Sequence, residues 1–295
     1  MSWDEKKKPI PAVKSMLDLE QEYRMHAQMD TSNGLDLGKV LPALGSQVRP
    51  LVPGELMAII ADTGVGKSAF AQTIAMHARP NVVLNFSMEL PGTLMFERQM
   101  AMKHKVLQSD IEATYKTNEA YDMHGLHHIY TCEATRLSAD DMEEVVVESG
   151  IYPNILIVDY IGLMSAKGTR GRYERMSDAA EELKSLAKRT KTVVIVVCQV
   201  SRKEGNEPEI YLHDAKDSGS IENSAGLLLG LWRDTASRTL MHCKILKNTK
   251  GTAGSIIDCE YDGAKMQIRP YGTTNASWSQ DPIDYDSICG GHNHD

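Results

Sequence analysis

The chain has 295 residues, of which 42% are hydrophobic and 24% are charged, and its formal net charge at pH 7 is −8. This length and apolar content suffice for one large domain or two small ones with a real core. No stretch approaches the roughly 18 uninterrupted apolar residues of a membrane helix, so we expect a soluble protein. An acidic chain does not attract polyanions as a whole, and any nucleic-acid site must therefore be local.

Residues 1–30 are predicted to form a separate N-terminal segment. The lysines near its start are not followed by the apolar run and cleavage site of a secretory signal, so we expect a cytoplasmic protein without a membrane partner. Residues 12–28 carry apolar side chains near helical spacing, which predicts an amphipathic helix. This helix either docks on a partner surface or folds back on its own core. Residues 31–54, rich in Gly, Pro and Leu, predict an irregular lead-in to a strand.

Short apolar runs alternate with helical stretches from residue 55 onward. Continuous apolar runs indicate buried strands covered on both faces, as in a parallel sheet with crossover helices. We therefore predict an α/β fold with a mostly parallel sheet flanked by helices. The predicted strands are LMAII (56–60), VVLNF (82–86), IYTC (129–132), ILIVD (155–159) and VVIVVC (193–198), and the predicted helices are 67–78, 91–103, 138–149 and 176–190.

The sequence pattern changes after about residue 226. Four apolar runs separated by turn residues predict consecutive antiparallel strands that extend the sheet on its C-terminal side. The main domain is thus predicted to span residues 31–272. Residues 273–295, with Gly, Asn, Ser, Asp and His, predict a disordered tail. The four runs are LLLGLW (227–232), LMHCKIL (240–246), SIIDCEY (255–261) and KMQIR (265–269).

The segment ADTGVGKS (61–68) fits the phosphate-binding P-loop pattern, with Ala61 in the first glycine position. A strand ends just before it and a helix begins inside it, so backbone N–H groups converge on one anion site. In an ATP site, Lys67 would contact the β- and γ-phosphates and the Ser68 hydroxyl would ligate Mg²⁺. The alternative is a glycine turn with a surface lysine. The predicted nucleotide contacts are Thr63, Gly64, Val65, Gly66, Lys67, Ser68 and Ala69.

ATP hydrolysis also needs an acid that orients the metal and a group that positions water. Asp159 ends the buried strand ILIVD and is the candidate Mg²⁺ ligand. Glu89 and Gln199 follow two other strands, on the edge where ligands of open α/β sheets bind. Glu89 could position water, and Gln199 could donate a hydrogen bond to the γ-phosphate. The alternatives are a first-turn helix charge for Glu89 and a strand cap for Gln199.

Four segments, in this order, carry a more specific pattern: FSMEL (86–90), IVDYIGLM (157–164), CQVSR (198–202) and DAKDSGSIENSAG (214–226). Together they resemble the RecA-like motor domain of DnaB-family replicative helicases, the hexameric ring helicases of superfamily four. The resemblance covers about residues 30–270. It implies a RecA-like P-loop NTPase core in an ATP-driven single-stranded DNA translocase that moves 5′–3′. ATP would be hydrolysed between the subunits of the ring.

The resemblance also implies residue roles. Glu89 would be the catalytic carboxylate that activates water, Asp159 the Walker B acid, and Gln199 the sensor of the γ-phosphate. Glycine permits close approach to a phosphate backbone, and lysine binds phosphate without reading bases. Without the resemblance, the segment around 216–219 indicates an ordinary polar loop, and the basic segment around 170–172 indicates a solvated charged surface. The residues at the family's DNA-gripping positions are Lys216, Asp217 and Gly219, with Arg170 and Arg172 in a second channel loop.

The chain departs from the family at several positions. In ILKNTKGTAG (245–254), Lys247 matches the lysine that reaches a neighbouring subunit's nucleotide, but Thr249 occupies the arginine-finger position. Lys250 could substitute for the finger. Gly162 stands where the family commonly has glutamine. The family's separate N-terminal domain, which binds primase, has no visible counterpart, so a primase or helicase loader is a partner that only the family implies.

Three functions remain open on these residues. The leading hypothesis is a minimal ring helicase, and helix 12–28 then resembles the family's linker helix that docks on the adjacent subunit. The second is an ATP-dependent DNA-binding or scaffold protein with little or no unwinding, which Thr249 motivates. The third is a RecA-type recombinase that forms filaments, against which segment 214–226 argues.

Cysteine and histidine residues do not suggest a metal or disulfide framework. The five cysteines are scattered without a CxxC pair, which indicates reduced and mostly packed thiols. The histidines at 124, 127 and 128 lie in a predicted loop, where isolated histidines seldom bind metal. The cysteines are Cys132, Cys198, Cys243, Cys259 and Cys289.

Overall fold

A mixed β-sheet forms the centre of the computed structural model, which describes residues 13–28, 34–165, 172–200, 208–214, 221–234, 237 and 239–272. In chain order its strands are β1 (Leu56–Ala61), β2 (Val83–Ser87), β3 (Ile129–Glu133), β4 (Ile155–Asp159), β5 (Val193–Gln199), β6 (Leu227–Arg233), β7 (Leu240–Asn248), β8 (Ile256–Asp262) and β9 (Gln267–Pro270). Their order across the sheet is β3-β2-β4-β5-β1-β6-β7-β8-β9. The predicted α/β fold, with its antiparallel C-terminal extension, is confirmed.

The change from parallel to antiparallel pairing occurs at β6. The first six strands in the sheet order, from β3 at the edge to β6, are parallel to one another. Strands β7, β8 and β9 then each pair antiparallel with the strand before them. Leu229 pairs with Ile59 of β1 on one side and with Ile245 of β7 on the other. The prediction of an antiparallel strand at 227–232 was therefore right on one side of β6 only. Its parallel side places the end of β6 beside the end of β1.

Two apolar cores cover the two faces of the sheet. Met57, Ile59 and Ala61 of β1 face one core, while Ala58 and Ile60 face the other. Successive side chains of a strand point to opposite faces, so a strand buried on both sides must be apolar throughout. This explains why the central strands read as continuous apolar runs.

The helices lie close to their predicted positions. They are α1 (Met16–Gln28), α2 (Pro42–Gly45), α3 (Lys67–Met76), α4 (Gly92–His104), α5 (Gln108–Lys116), α6 (Ala139–Ser149), α7 (Arg172–Thr190) and α8 (Ile221–Ser224). Ser138 caps α6 as predicted, because its hydroxyl accepts from the Asp141 backbone N–H at 3.2 Å and Asp141 returns a carboxylate to the Ser138 N–H. Helix α5 was not predicted.

Strand β3 corrects the prediction that 129–132 is a buried strand. It is the edge strand of the sheet and pairs with β2 alone. An edge strand has a neighbour on one side only, and Tyr130 accordingly is 41% exposed. The apolar run IYTC is too short to distinguish an edge position from a central one.

The N-terminal helix α1 exposes the apolar side chains that the sequence placed on one stripe. Met16 is 80% exposed, and Leu17 and Tyr23 are each 64% exposed. Their exposure does not fit the alternative in which the helix folds back on its own core. The lead-in that follows is irregular, as predicted, with a short 3₁₀ turn (Leu37–Lys39) and α2 before β1.

Four cysteines within the described ranges are free thiols, three of them buried. Burial raises the pKa of Cys198 and Cys243, and raises that of Cys259 to about 12. None of the described helices is long and apolar enough to cross a membrane. The predicted tail, Cys289 and residues 1–12 lie outside the described residues.

Candidate functional site

The P-loop connects the end of β1 to the start of α3. Gly64 and Gly66 adopt the left-handed backbone, with φ of 77° and 117°. A Cβ on Gly66 would lie 3.0 Å from Met241 Cε and 3.1 Å from Tyr261 Cε1, so glycine is required there for both backbone and space. The loop therefore presents the N-terminus of α3, with its unpaired N–H groups, as an anion site.

A serine and a buried carboxylate lie beside this loop. Ser68 lies close enough to the carboxylate of Asp159 to lower its pKa, and Asp159 is 4% exposed at the end of β4. Burial raises the pKa of Asp159, and the charge of Glu89 raises it too, whereas Ser68, Lys67 and Arg98 lower it. Among the described residues, Asp159 Oδ1 has no hydrogen-bond partner. A buried carboxylate oxygen without a donor, next to a P-loop serine, fits the donor set of a Mg²⁺ site.

Glu89 lies just past the end of β2, and its side chain is exposed. Two contacts fix the turn that carries it. The Met88 N–H donates to the Asp159 carbonyl at 3.1 Å, and the Ser87 hydroxyl donates to the Leu90 carbonyl at 2.7 Å. Glu89 therefore stands at the carboxyl edge of the sheet, near enough to Asp159 to influence its charge.

Gln199 and Thr63 meet across the same edge. The Gln199 side-chain amide donates to the Thr63 hydroxyl, and Gln199 pairs with Ala61 in the β1–β5 register. Two residues predicted from separate segments are thus direct neighbours. A side chain at the end of β5 can in this way respond to what occupies the P-loop.

Arg233 is a site residue that sequence reasoning missed. Its guanidinium donates to the Gly64 carbonyl at 2.7 Å and lies 5.7 Å from the centre of the Tyr261 ring. Leu231 pairs with Ala61, the last residue of β1, so Arg233 at the end of β6 lies two residues beyond β1, beside the P-loop. The available signal was an arginine that ends an apolar run, but it required knowing that β6 lies parallel to β1.

The side chains of Lys247 and Lys250 contact groups of their own chain away from the P-loop. Lys247 Nζ donates to the Glu222 carbonyl at 2.5 Å, and Lys250 Nζ donates to the Glu55 carboxylate at 2.7 Å. Thr249 is held by its backbone N–H on the Gly226 carbonyl. Glu55 precedes β1, whose six residues place Lys250 roughly 20 Å from the P-loop. Lys247 is in register with Leu228 and through it with Ala58, midway along β1, and its Nζ contacts the Glu222 carbonyl and not the P-loop.

The predicted DNA contacts fall mostly outside the described residues. This holds for Arg170, Lys216, Asp217 and Gly219, while Arg172 begins α7 with its side chain undescribed. Their role stays a prediction. Of the histidines, the buried His128 has Nε2 at 2.9 Å from the Ala75 carbonyl oxygen, which is a contact of the core.

Curated relatives are replicative helicases. The chain is 26% identical over 268 residues to the replicative DNA helicase DnaB of Buchnera aphidicola subsp. Schizaphis graminum (strain Sg), covering 84% of this chain and 54% of that protein. It is 27% identical over 250 residues to the DnaB of Pasteurella multocida (strain Pm70), covering 77% of this chain and 51% of that protein. The chain thus spans about half the length of the curated relatives it matches.

Solved structures share the fold. A DnaB-like replicative helicase, studied for its interactions with primase, superposes with a TM-score of 0.72 at 20% identity, over 85% of this chain and 67% of that one. A solved ATPase domain superposes with a TM-score of 0.73 at 18% identity, over 88% of this chain and 99% of that one. The sequence model of the DnaB-like helicase C-terminal domain matches residues 39–269, which is most of the chain. The chain therefore belongs to the DnaB-like helicase C-terminal domain family.

Proposed function

We propose that residues 31–272 form an ATP-driven motor that translocates on single-stranded DNA as part of a replicative helicase ring. The observation that carries the proposal is the meeting of Lys67, Ser68, Asp159 and Glu89 at one edge of the sheet, around the anion site of the P-loop. Curated relatives with this domain are replicative DNA helicases, which supports DNA as the track.

In this proposal the P-loop and Lys67 bind the phosphates of ATP. Ser68 and Asp159 hold Mg²⁺, which would neutralise charge that develops on the phosphates. Glu89 accepts a proton from the attacking water, which it can reach because it is exposed at the site. Gln199 contacts the P-loop through its hydrogen bond to Thr63, so a change in the loop when ATP binds would move the end of β5. Arg233 and Tyr261 offer a planar cation and a ring on the far side of the loop, where a nucleotide base could contact them.

A second copy of the chain completes the site in this proposal. Lys247 Nζ is held on the Glu222 carbonyl and not at the P-loop of its own chain, so its role in this proposal is on a neighbouring subunit's nucleotide. A head-to-tail contact of this kind forms a ring when the rotation between neighbours closes, and we propose a hexamer. Lys216, Asp217, Gly219, Arg170 and Arg172 would face DNA in its centre. Movement from 5′ to 3′, a cytoplasmic location and binding to a primase or loader are further parts of the proposal.

The experiment measures ATP turnover with and without single-stranded DNA. We expect stimulation by DNA in the wild-type protein. The Glu89→Gln variant should bind ATP with normal affinity and lose turnover, because it removes the proton acceptor but not the phosphate contacts. Normal turnover in Glu89→Gln contradicts the catalytic role, and turnover that ignores DNA contradicts the motor.

A second candidate function is an ATP-dependent DNA-binding or scaffold protein with little unwinding. Thr249 favours it, since an uncharged residue at the finger position cannot stabilise charge on the phosphates. Lys250, the residue that could substitute, pairs with Glu55 of its own chain. Strand-displacement assays separate the two functions: ATP-dependent ring formation on DNA without unwinding supports the second.

A further inference from the structure

Three buried amide side chains form a hydrogen-bonded chain directly beneath the candidate nucleotide site. Gln99 Nε2 donates to Gln72 Oε1 at 2.8 Å, and Gln72 Nε2 donates to Asn85 Oδ1 at 3.1 Å. Asn85 Nδ2 then donates to the Tyr130 carbonyl at 3.2 Å. The three side chains, which we call the amide chain, are 9%, 3% and 1% exposed respectively. Buried amides need partners, so together they favour one relative placement of their elements.

Two members of the amide chain lie on the same element and the same face as residues next to the P-loop. Gln72 follows Ser68 by one helical turn on α3, so both side chains are on the same face of the helix. Asn85 precedes Ser87 by two residues on β2, and in the β2–β4 register Ser87 pairs with Asp159. The amide chain therefore forms a layer immediately under the layer that contains Ser68 and Asp159.

Gln99 ties helix α4 to this layer. Its neighbour Arg98 is close enough to Asp159 to lower the pKa of that carboxyl, and Arg98 lines a small cavity with Ser68 and Gln72. Helix α4 begins at Gly92, three residues after Glu89. A buried amide outside the amide chain, Gln267 of β9, donates to the Met102 carbonyl of α4 at 3.2 Å. The position of α4 thus depends on amide contacts from two directions.

We propose that the amide chain is a positioning network for ATP hydrolysis. It holds α4, and with it Arg98 and the turn that carries Glu89, at a fixed distance from the P-loop helix α3. Apolar side chains of the same size would fill this space without specifying one alignment of the two helices. The members are positioning residues, because they lie beneath the P-loop and act through Glu89 and Arg98. This inference depends on the proposed function, since it names what aligns the proposed active site.

The test uses Gln99→Met in the full chain, which removes the amide but keeps the volume. The exchange leaves Gln72 Oε1 buried without its donor, which should lower the free energy of unfolding by about 1–3 kcal/mol. We therefore expect a melting temperature lowered by roughly 2–10 °C, affinity for a fluorescent ATP analogue within about twofold, and turnover of the folded variant reduced roughly 10- to 100-fold. We also expect that a non-hydrolysable ATP analogue slows hydrogen exchange in 67–76 and 92–104 of the wild type, but only in 67–76 of the variant.

The matched control is Met100→Leu, a neighbouring buried residue of α4 outside the amide chain. A volume-conserving apolar exchange should leave affinity, turnover and exchange as in the wild type. The double variant Gln72→Met/Gln99→Met should lose no more turnover than Gln99→Met alone, because the members act as one unit. If Gln99→Met does not fold, Gln99→Asn, whose shorter amide cannot reach Gln72, is measured in the same way.

Two results overturn the inference. One is wild-type turnover and wild-type exchange of α4 in the Gln99 variant. The other is a loss of turnover that is matched by an equal loss of ATP affinity, which would indicate structural support alone. A wild type that binds ATP without turning it over refutes the hydrolysis step, while the exchange measurement still decides on the network. A wild type that binds no ATP refutes the proposed function itself.

Discussion

Asp159 illustrates how a single residue can be placed for function at the expense of stability. Its raised pKa means that the folded state keeps this proton to a higher pH than the unfolded state, whose ordinary value is 3.8. Between these two pKa values the folded state binds more protons, so stability falls as pH rises through the window. This carboxyl therefore makes the ligand-free protein less stable at neutral pH than near pH 3.8.

Asp159→Asn should raise the melting temperature of the ligand-free protein at neutral pH by roughly 2 °C or more. An amide cannot ionise, so the difference in melting temperature between the variant and the wild type should shrink as pH approaches 3.8. Calorimetry over a pH series measures this. Glu148→Gln, a change at an exposed carboxylate, is the control and should show no such trend. A lower melting temperature for Asp159→Asn at neutral pH would contradict the argument.

Arg233 gives the second prediction at this scale. Arg233→Lys keeps the charge but loses the planar group that reaches the Gly64 carbonyl and lies over Tyr261. Loss of a charge-assisted hydrogen bond that shapes the P-loop should weaken ATP binding roughly tenfold. Titration with a fluorescent nucleotide measures the affinity. Arg189→Lys, which alters an ion pair with Glu143 on α6, should bind ATP normally, and equal affinities for all three proteins would refute the role of Arg233.

At the scale of elements, the N-cap of α6 is expected to contribute to the free energy of unfolding but not to ATP turnover. Ser138→Ala removes the hydroxyl that accepts from the Asp141 N–H, and should lower the free energy of unfolding by about 1 kcal/mol. Urea denaturation measures the loss, and ATP turnover should not change because α6 packs on the opposite face of the sheet from the P-loop helix α3. Ser149→Ala, at the other end of α6, is the control, since that hydroxyl donates to the Val146 carbonyl and accepts from the Ile151 N–H but caps no helix N-terminus. An equal loss in both variants would show that capping is not the cause.

The elements that the sequence predicted well are those with one clear local signal. Buried central strands read as unbroken apolar runs, and α6 has a complete capping box. The failures concern neighbours in space. The edge position of β3 and the parallel side of β6 depend on which strand lies alongside, and no local pattern encodes that. For the same reason Arg233 was missed, whereas Lys67 and Asp159 were found from motifs that follow strands.

The amide chain was missed for a related reason. Gln72, Asn85 and Gln99 lie on three elements, and each alone is an ordinary polar residue in its segment. A polar residue inside the strand VVLNF is the one hint that sequence offered. It becomes informative only when the sheet and both helices place the three amides within hydrogen-bonding distance.

At the scale of the whole molecule, the proposed site is split between two parts of the sheet. The P-loop and Glu89 lie at the carboxyl ends of the parallel strands, whereas Lys250 pairs with Glu55 at the amino end of β1 and Lys247 Nζ contacts the Glu222 carbonyl. In the proposed ring, Lys247 serves the nucleotide of another copy. The proposed hydrolysis therefore depends on assembly, and dilution below the assembly concentration should lower the turnover per chain.

Mixing two inactive variants tests this split directly. Glu89→Gln removes the proton acceptor of a subunit's own site, and Lys247→Ala removes the cation that it offers to its neighbour. Where a Lys247→Ala subunit supplies the P-loop and a Glu89→Gln subunit supplies the lysine, the interface is complete. Random equal mixing makes about one interface in four complete, because each head-to-tail contact uses different surfaces of the two copies.

We expect each variant alone to be nearly inactive and the mixture to recover about a quarter of wild-type ATP turnover, measured after the subunits have exchanged. Lys250→Ala in place of Lys247→Ala is the control. If Lys247 is the residue that acts on the neighbour, Lys250→Ala alone keeps its turnover, although the loss of the Glu55 ion pair should lower its melting temperature slightly. A mixture that stays inactive, with both variants folded and assembled, would show that both groups serve the same copy or that Lys247 has no part in hydrolysis.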